Sequence, residues 1–197
     1  MINKFVMTKA KNVSFVKGNL PYYLYHAMKL ARYDVKEDEV KEWMENNPLE
    51  TEAQIALNNF MEAFTYIMDD HETDYLCLIT LHQILMKGLN ENISSSLTNE
   101  QISELNLMVN QPTKANTEVA IDVMLYILDK RLFSDGDVRV AIMFANKMMI
   151  EKGNGIICIA ERNDKEFRER LKAFHEGDRD FKEWIYKTSI AGKRFDY

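Results

Sequence analysis

The stretch "RLFSDGDVRVAI", residues 131–142, concentrates side chains that could do chemistry. Phe133 leads into Gly136, which lies between Asp135 and Asp137, and Arg139 follows where an apolar helix begins. A helix N-terminus has unpaired N–H groups and a partial positive charge, so such a turn binds anions readily. Gly136 allows the backbone to turn tightly before the helix. Arg139 could reach a phosphate, and the hard oxygens of Asp135 suit Mg²⁺. Against this, two acids stand where a phosphate would sit. The same spacing also describes a helix-entry turn capped by an aspartate. A third arrangement pairs Arg131 with Asp135 or Asp137 and leaves a structural clasp.

Other polar residues carry weaker signals. His82 lies on an apolar helical face and reads as a packed core histidine. His71 opens "HETDY", which fails the zinc-protease pattern because Tyr75 stands where the second His would be. His26 and His175 have no Cys or His neighbours at ligand spacing, so no metal cage is expected. "KGNGI", 152–156, follows a helix and reads as its C-cap. "ERNDKEFRERLK" mixes charges at helical spacing, as a solvated face does. Most methionines fall in helical stripes and read as core.

Helices must position the loop. Apolar residues at i, i+3 and i+4 steps predict helices over 51–68, opened by Thr51 or Glu50, and over 74–87, ended near Gly88. Helix 116–130 is expected with Asn116 or Thr117 as cap, and helix 138–152 is closed by Gly153. Shorter helices are predicted near 21–33, 36–46, 98–109, 163–175 and 178–190. "GIICIA" could be a brief extended piece, and the polar run 90–101 reads as an exposed loop.

Composition agrees with a helical chain. Only 3 Pro and 7 Gly occur in 197 residues, too few for the turns of an all-β protein. A net charge of −6 leaves no basic footprint for nucleic acid, so no nucleic-acid partner is expected. The apolar runs are far too short to span a membrane, and "MINKFVMTKAKNV" has no apolar signal-peptide core. Cys77 and Cys158 read as free thiols of a reducing cytoplasm.

The loop and the helix after it resemble the Fic (filamentation induced by cAMP) family motif H-x-F-x-[DE]-G-N-G-R-x-x-R. Phe133, Asp135, Gly136 and Arg139 match it. "LHQILMKGL" resembles the family helix ahead of its flap. "KEFRERLKAFHEGDRDFKEWI" is similar to the family's C-terminal helix pair. "PLETEAQIALNNFMEAFTYI" resembles an earlier helix with an Asn near its middle. The likeness covers most of residues 12–190.

The resemblance implies an all-α, Fic-like helical domain with room for a small β-hairpin flap. It implies one domain over 1–197, with an N-terminal helical part at about 1–50 and a core at about 51–190. Family members generally transfer AMP from ATP to a hydroxyl of a target protein. The family His is the general base and the acid holds Mg²⁺. The Asn and the final Arg hold phosphates, and the loop N–H groups form an anion hole.

This chain departs from the motif at four positions. Arg131 replaces the base, and a guanidinium accepts no proton near neutral pH. Loss of a general base typically costs about 10²–10⁴ in rate. Asp137 replaces the Asn, and at ~4 Å a carboxylate repels a phosphate by roughly 1–4 kcal/mol. Val138 replaces the second Gly, and Ile142 replaces the final Arg. Many relatives carry an autoinhibitory helix with [S/T]-x-x-x-E-[G/N]. The matching stretch is "VSFVKG", in which Val13 replaces the hydroxyl, Lys17 replaces the Glu, and Gly18 is kept.

The expected function is therefore a degenerate Fic protein that has lost, or nearly lost, AMP transfer. It would act through residual nucleotide or protein binding, with a groove near 90–112 facing a protein partner. The candidate phosphate site is Phe133, Asp135, Gly136, Asp137, Val138 and Arg139, with ATP and Mg²⁺ bound weakly and Asp135 on the metal. The first alternative is an active transferase with Asp135 on a metal and Asp137 as a substitute base. The second is a cytoplasmic regulator or antitoxin-like scaffold that uses no nucleotide.

Overall fold

The computed structural model describes residues 1–89 and 97–194. Among these are ten α-helices and one two-stranded pairing. The predicted flap and most of the polar run 90–101 lie outside the described residues, as does part of the groove expected near 90–112.

Helix α8 (Asp137–Glu151) forms the centre. Every residue from Val140 to Ile150 is buried, as expected of a helix whose apolar residues are not confined to one stripe. Its two polar residues in that stretch are both satisfied. Asn146 Nδ2 donates to the Ile157 carbonyl at 2.9 Å, and its Oδ1 accepts from the Ile157 N–H at 2.7 Å. Lys147 donates through Nζ to the Asp69 carbonyl at 2.8 Å.

Four helices pack directly on α8. They are α7 (Asn116–Lys130), α4 (Glu52–Met68), α5 (Tyr75–Met86) and α1 (Lys9–Gly18). Helix α4 starts at Thr51 with a capping box, in which Thr51 Oγ1 accepts from Gln54 N–H and the Gln54 side chain accepts from Thr51 N–H. Asp74 caps α5 by accepting from Cys77 N–H at 2.9 Å. The expected cap of α7 is corrected. Its N-cap is Ala115, and the first-turn N–H of Thr117 is met by Asn3 Oδ1 at 3.0 Å. A residue more than a hundred positions away thus supplies the cap, which local sequence cannot reveal.

Helix α8 ends as "KGNGI" suggests. Gly153 takes φ 68°, and the Asn154 N–H reaches back to the Met149 carbonyl at 2.8 Å. The chain then forms β1 (Ile156–Ile157), which pairs antiparallel with β2 (Ile190–Ala191). Helix α1 is tied to this end of α8, since Asn12 Nδ2 donates to the carbonyls of Met149 and Gly155. Helix α2 (Leu20–Leu30) packs on α4, and α3 (Glu37–Asn46) packs on both. Helix α6 (Asn99–Val109) lies on α7. Helices α9 (Asp164–His175) and α10 (Phe181–Thr188) close the C-terminal side around Phe167, Phe181 and Trp184. Helix α9 carries two i, i+4 ion pairs, Arg168 with Asp164 and Arg170 with Glu166, and the half-buried Arg168 also donates to the Leu30 carbonyl. Among the described residues no helix is long and apolar enough to cross a membrane.

Candidate functional site

Helices α7 and α8 are joined by the loop 131–136. Arg131 ends α7 in a left-handed conformation, φ 46°, with its side chain exposed. Leu132 and Phe133 turn inward and are buried, which fixes the loop to the core. Gly136 has φ 80° and opens α8. A Cβ at this position would stand 2.7 Å from Met86 Sδ, near the flexible end of that side chain, so the site needs glycine chiefly for its conformation.

The loop closes on its own acids. Asp137 Oδ1 accepts from the Phe133 N–H at 3.0 Å, and Asp135 Oδ1 accepts from the Gly136 N–H at 2.7 Å. Two backbone donors of the turn are therefore taken by side chains of the same turn. Burial pushes the Asp137 carboxyl up to about 6, and the nearby Asp135 charge adds to this. The Phe133 N–H bond and the Arg131 charge oppose the shift without reversing it. Arg131 thus acts on Asp137 through its field, while the contact that closes the loop is the amide of Phe133.

His82 is buried, as its apolar face suggests, but it serves the loop directly. Its ring stacks on Phe133 with centroids 3.9 Å apart, and its Nε2 lies 2.8 Å from the Asp135 carbonyl. Burial lowers its pKa, so the ring is neutral and Nε2–H is the donor. Helix α5, which carries His82 and Met86, is itself held at its end by Asn59. The Asn59 Nδ2 donates to the Lys87 carbonyl at 2.7 Å and to the Leu85 carbonyl at 3.3 Å. Arg139 lies over the Tyr33 ring at 5.5 Å and reaches Met86 Sδ. Sequence reasoning did not link His82, Met86, Tyr33 or Asn59 to the loop. The one available signal was the polar residues set within apolar faces.

A cavity of about 270 Å³ opens at the start of α8. Asp135, Gly136, Asp137, Val138 and Arg139 line its mouth, so the structure brings together most of the expected phosphate-site residues. Ile142, at the position of the family's final Arg, lines the cavity wall. Phe133 is buried beneath the loop. Val13, Lys17 and Gly18 lie on α1 and do not line this cavity. Among the described residues no cluster of three or more His, Cys, Asp or Glu could hold a metal ion.

Two solved structures of Fic-1 from C. elegans, one of them a point variant, match this chain with TM-scores of 0.75 at 14% identity. The matches cover 88% and 90% of this chain. The chain has a Fic-domain fold. It spans about three-fifths of those structures, 62% and 61% of their lengths. No family model and no curated protein matches the sequence. Within that fold, residues 131–136 join α7 to α8 and residues 137–142 form the first turns of α8.

Proposed function

We propose that this Fic-fold chain does not transfer AMP and instead acts by binding through the cavity at the start of α8. The observation that carries this reading is the pair of internal bonds in the loop. Asp137 takes the Phe133 N–H and Asp135 takes the Gly136 N–H, so the turn's own carboxylates occupy donors that an anion hole would offer. A phosphate entering the turn must displace a carboxylate and then tolerate its charge. Arg131 supports the same reading, since it supplies no base at the loop entrance. Asp135 could contribute one ligand to Mg²⁺, which is usually held by one or two carboxylates together with substrate phosphates. Any such phosphates would face Asp137.

The alternative of an active transferase is favoured by one feature. Asp137 lies near 6, within the range useful to a general base close to neutral pH. Labelled ATP, Mg²⁺ or Mn²⁺ and protein acceptors separate the two readings. No transfer, with ATP binding weaker than micromolar by calorimetry, is the expected result. Robust labelling that disappears in Asp137→Asn would establish the alternative instead.

A further inference from the structure

We propose that the α8 cavity takes a compact apolar molecule, about the size of a fused bicyclic ring, that presents one hydrogen-bond acceptor to His26. The proposal deepens the reading above by naming the ligand class of the same site. The cavity's volume is about 270 Å³. An apolar cavity of ~150 Å³ accommodates benzene, so this space suits a molecule somewhat larger. It lies near the lower end of ligand pockets, which run from roughly 300 Å³ upward.

The walls select for apolar surface. Phe60, Phe64, Ile142, Met143, Ile156 and Ile157 line the interior, and all are buried. Asn146 also lines it, but both ends of its amide are spent on Ile157. At the mouth Asp135 and Asp137 face the same opening as Arg139 and Arg32, so the charges there do not favour a polyanion.

His26 supplies an unmet polar contact. It lines the cavity and is 8% exposed. Its Nδ1 accepts from the Glu161 N–H at 3.1 Å, so in the neutral ring the proton sits on Nε2. Burial holds the ring neutral. That Nε2 is buried with no hydrogen-bond partner among the described residues. Buried donors are rarely left so, and an acceptor carried by a ligand would satisfy this one. The Tyr22 ring packs perpendicular to His26 at 4.2 Å. A weak N–H···π contact is therefore the competing destination for the proton.

Naphthalene and isoquinoline separate these accounts, because they share a shape and differ by one ring nitrogen. Each is titrated into the full chain at mildly alkaline pH, where both are uncharged, and followed by ligand-observed NMR and by the His26 ring resonances. The expected result is binding of both, with isoquinoline about tenfold tighter and His26 Nε2 shifted by isoquinoline alone. In His26→Phe the two probes should bind alike, and in Ile142→Trp, which fills the cavity, neither should bind. Failure of both probes to bind the folded wild type overturns the proposal, as does a preference that survives in His26→Phe. If His26→Phe does not fold, isoquinoline binding that leaves the wild-type His26 resonances unmoved overturns it equally. AMP transfer by the wild type would defeat the proposed function without altering these titrations.

Discussion

The imidazole of His82 lies flat on the ring of Phe133, with centroids 3.9 Å apart and planes 18° from parallel. The same imidazole holds the Asp135 carbonyl at 2.8 Å, so one side chain of α5 grips the α7–α8 loop at two points. The grip explains how a loop with two acids and a left-handed glycine keeps one shape. His82→Ala removes the stack and leaves a carbonyl without its partner, which should cost roughly 2–4 kcal/mol. His82→Phe keeps a stacking ring and should cost about half as much. Urea unfolding of the two variants measures the difference, and equal losses would show that the bond to Asp135 contributes everything.

Two glycines should respond differently to alanine. Gly136→Ala meets the flexible end of Met86, so its cost should come mainly from the left-handed backbone, about 1–2 kcal/mol. Gly153→Ala would place a Cβ 1.9 Å from the Met7 carbonyl oxygen, which is backbone. The N-terminal segment would then have to leave its bond between Met7 N–H and the Gly153 carbonyl. Thermal unfolding should therefore show the larger loss for Gly153→Ala, although Gly136 belongs to the candidate site.

Stability should depend on pH in two opposing ways. His26 and His82 are both held below the ordinary value of 6.5 by burial. The unfolded chain then binds more protons below that pH, so these residues destabilise the fold as pH falls through it. Asp137 is raised from 3.8 to about 6, so between those values the folded chain binds the extra proton. Its contribution to stability is therefore lost as pH rises through this window. Asp137→Asn keeps an acceptor for the Phe133 N–H and removes the charge. It should stabilise the protein above about pH 6 and have no effect below about pH 4. Denaturation midpoints measured across pH test this, and a gain that persists in acid would assign it to packing.

Helices α2 to α10 were legible because their apolar spacing is a local property, whereas apolar spacing did not mark α1. Thr51, Gly136 and Gly153 marked true boundaries for the same reason, since caps and left-handed turns act within a few residues. The cap of α7 was not legible, because Asn3 lies far away in sequence. The loop's composition was readable, but its closure was not. Spacing allowed Arg131 to clasp the acids, whereas the fold gives Asp137 to the amide of Phe133. His82 looked like core and is core, yet sequence could not show that the ring it packs on belongs to the loop. The cavity was invisible because α2, α4, α8 and β1 meet there from distant parts of the chain.

Restoring the motif tests whether the loop is a damaged site. Asp137→Asn with Val138→Gly should act first, because it removes the charge that opposes a phosphate and loosens the turn behind it. Tighter ATP binding by calorimetry is the expected outcome. Ile142→Arg is less hazardous than burial alone suggests. Ile142 is 9% exposed but lines the cavity, so a guanidinium placed there has space to extend toward the loop. The same arginine should fill the cavity and expel an apolar probe, so nucleotide binding and probe binding should change in opposite directions. Arg131→His comes last. Position 131 has φ 46°, a conformation that His adopts more readily than most residues, so the backbone should accept it. A neutral imidazole at the loop entrance could again accept a proton. Self-labelling by ATP should appear only in the quadruple variant, while the triple variant binds without labelling. If the folded quadruple variant gains neither binding nor labelling, the loop lacks the geometry of a transferase site and the likeness to Fic-1 is one of fold alone.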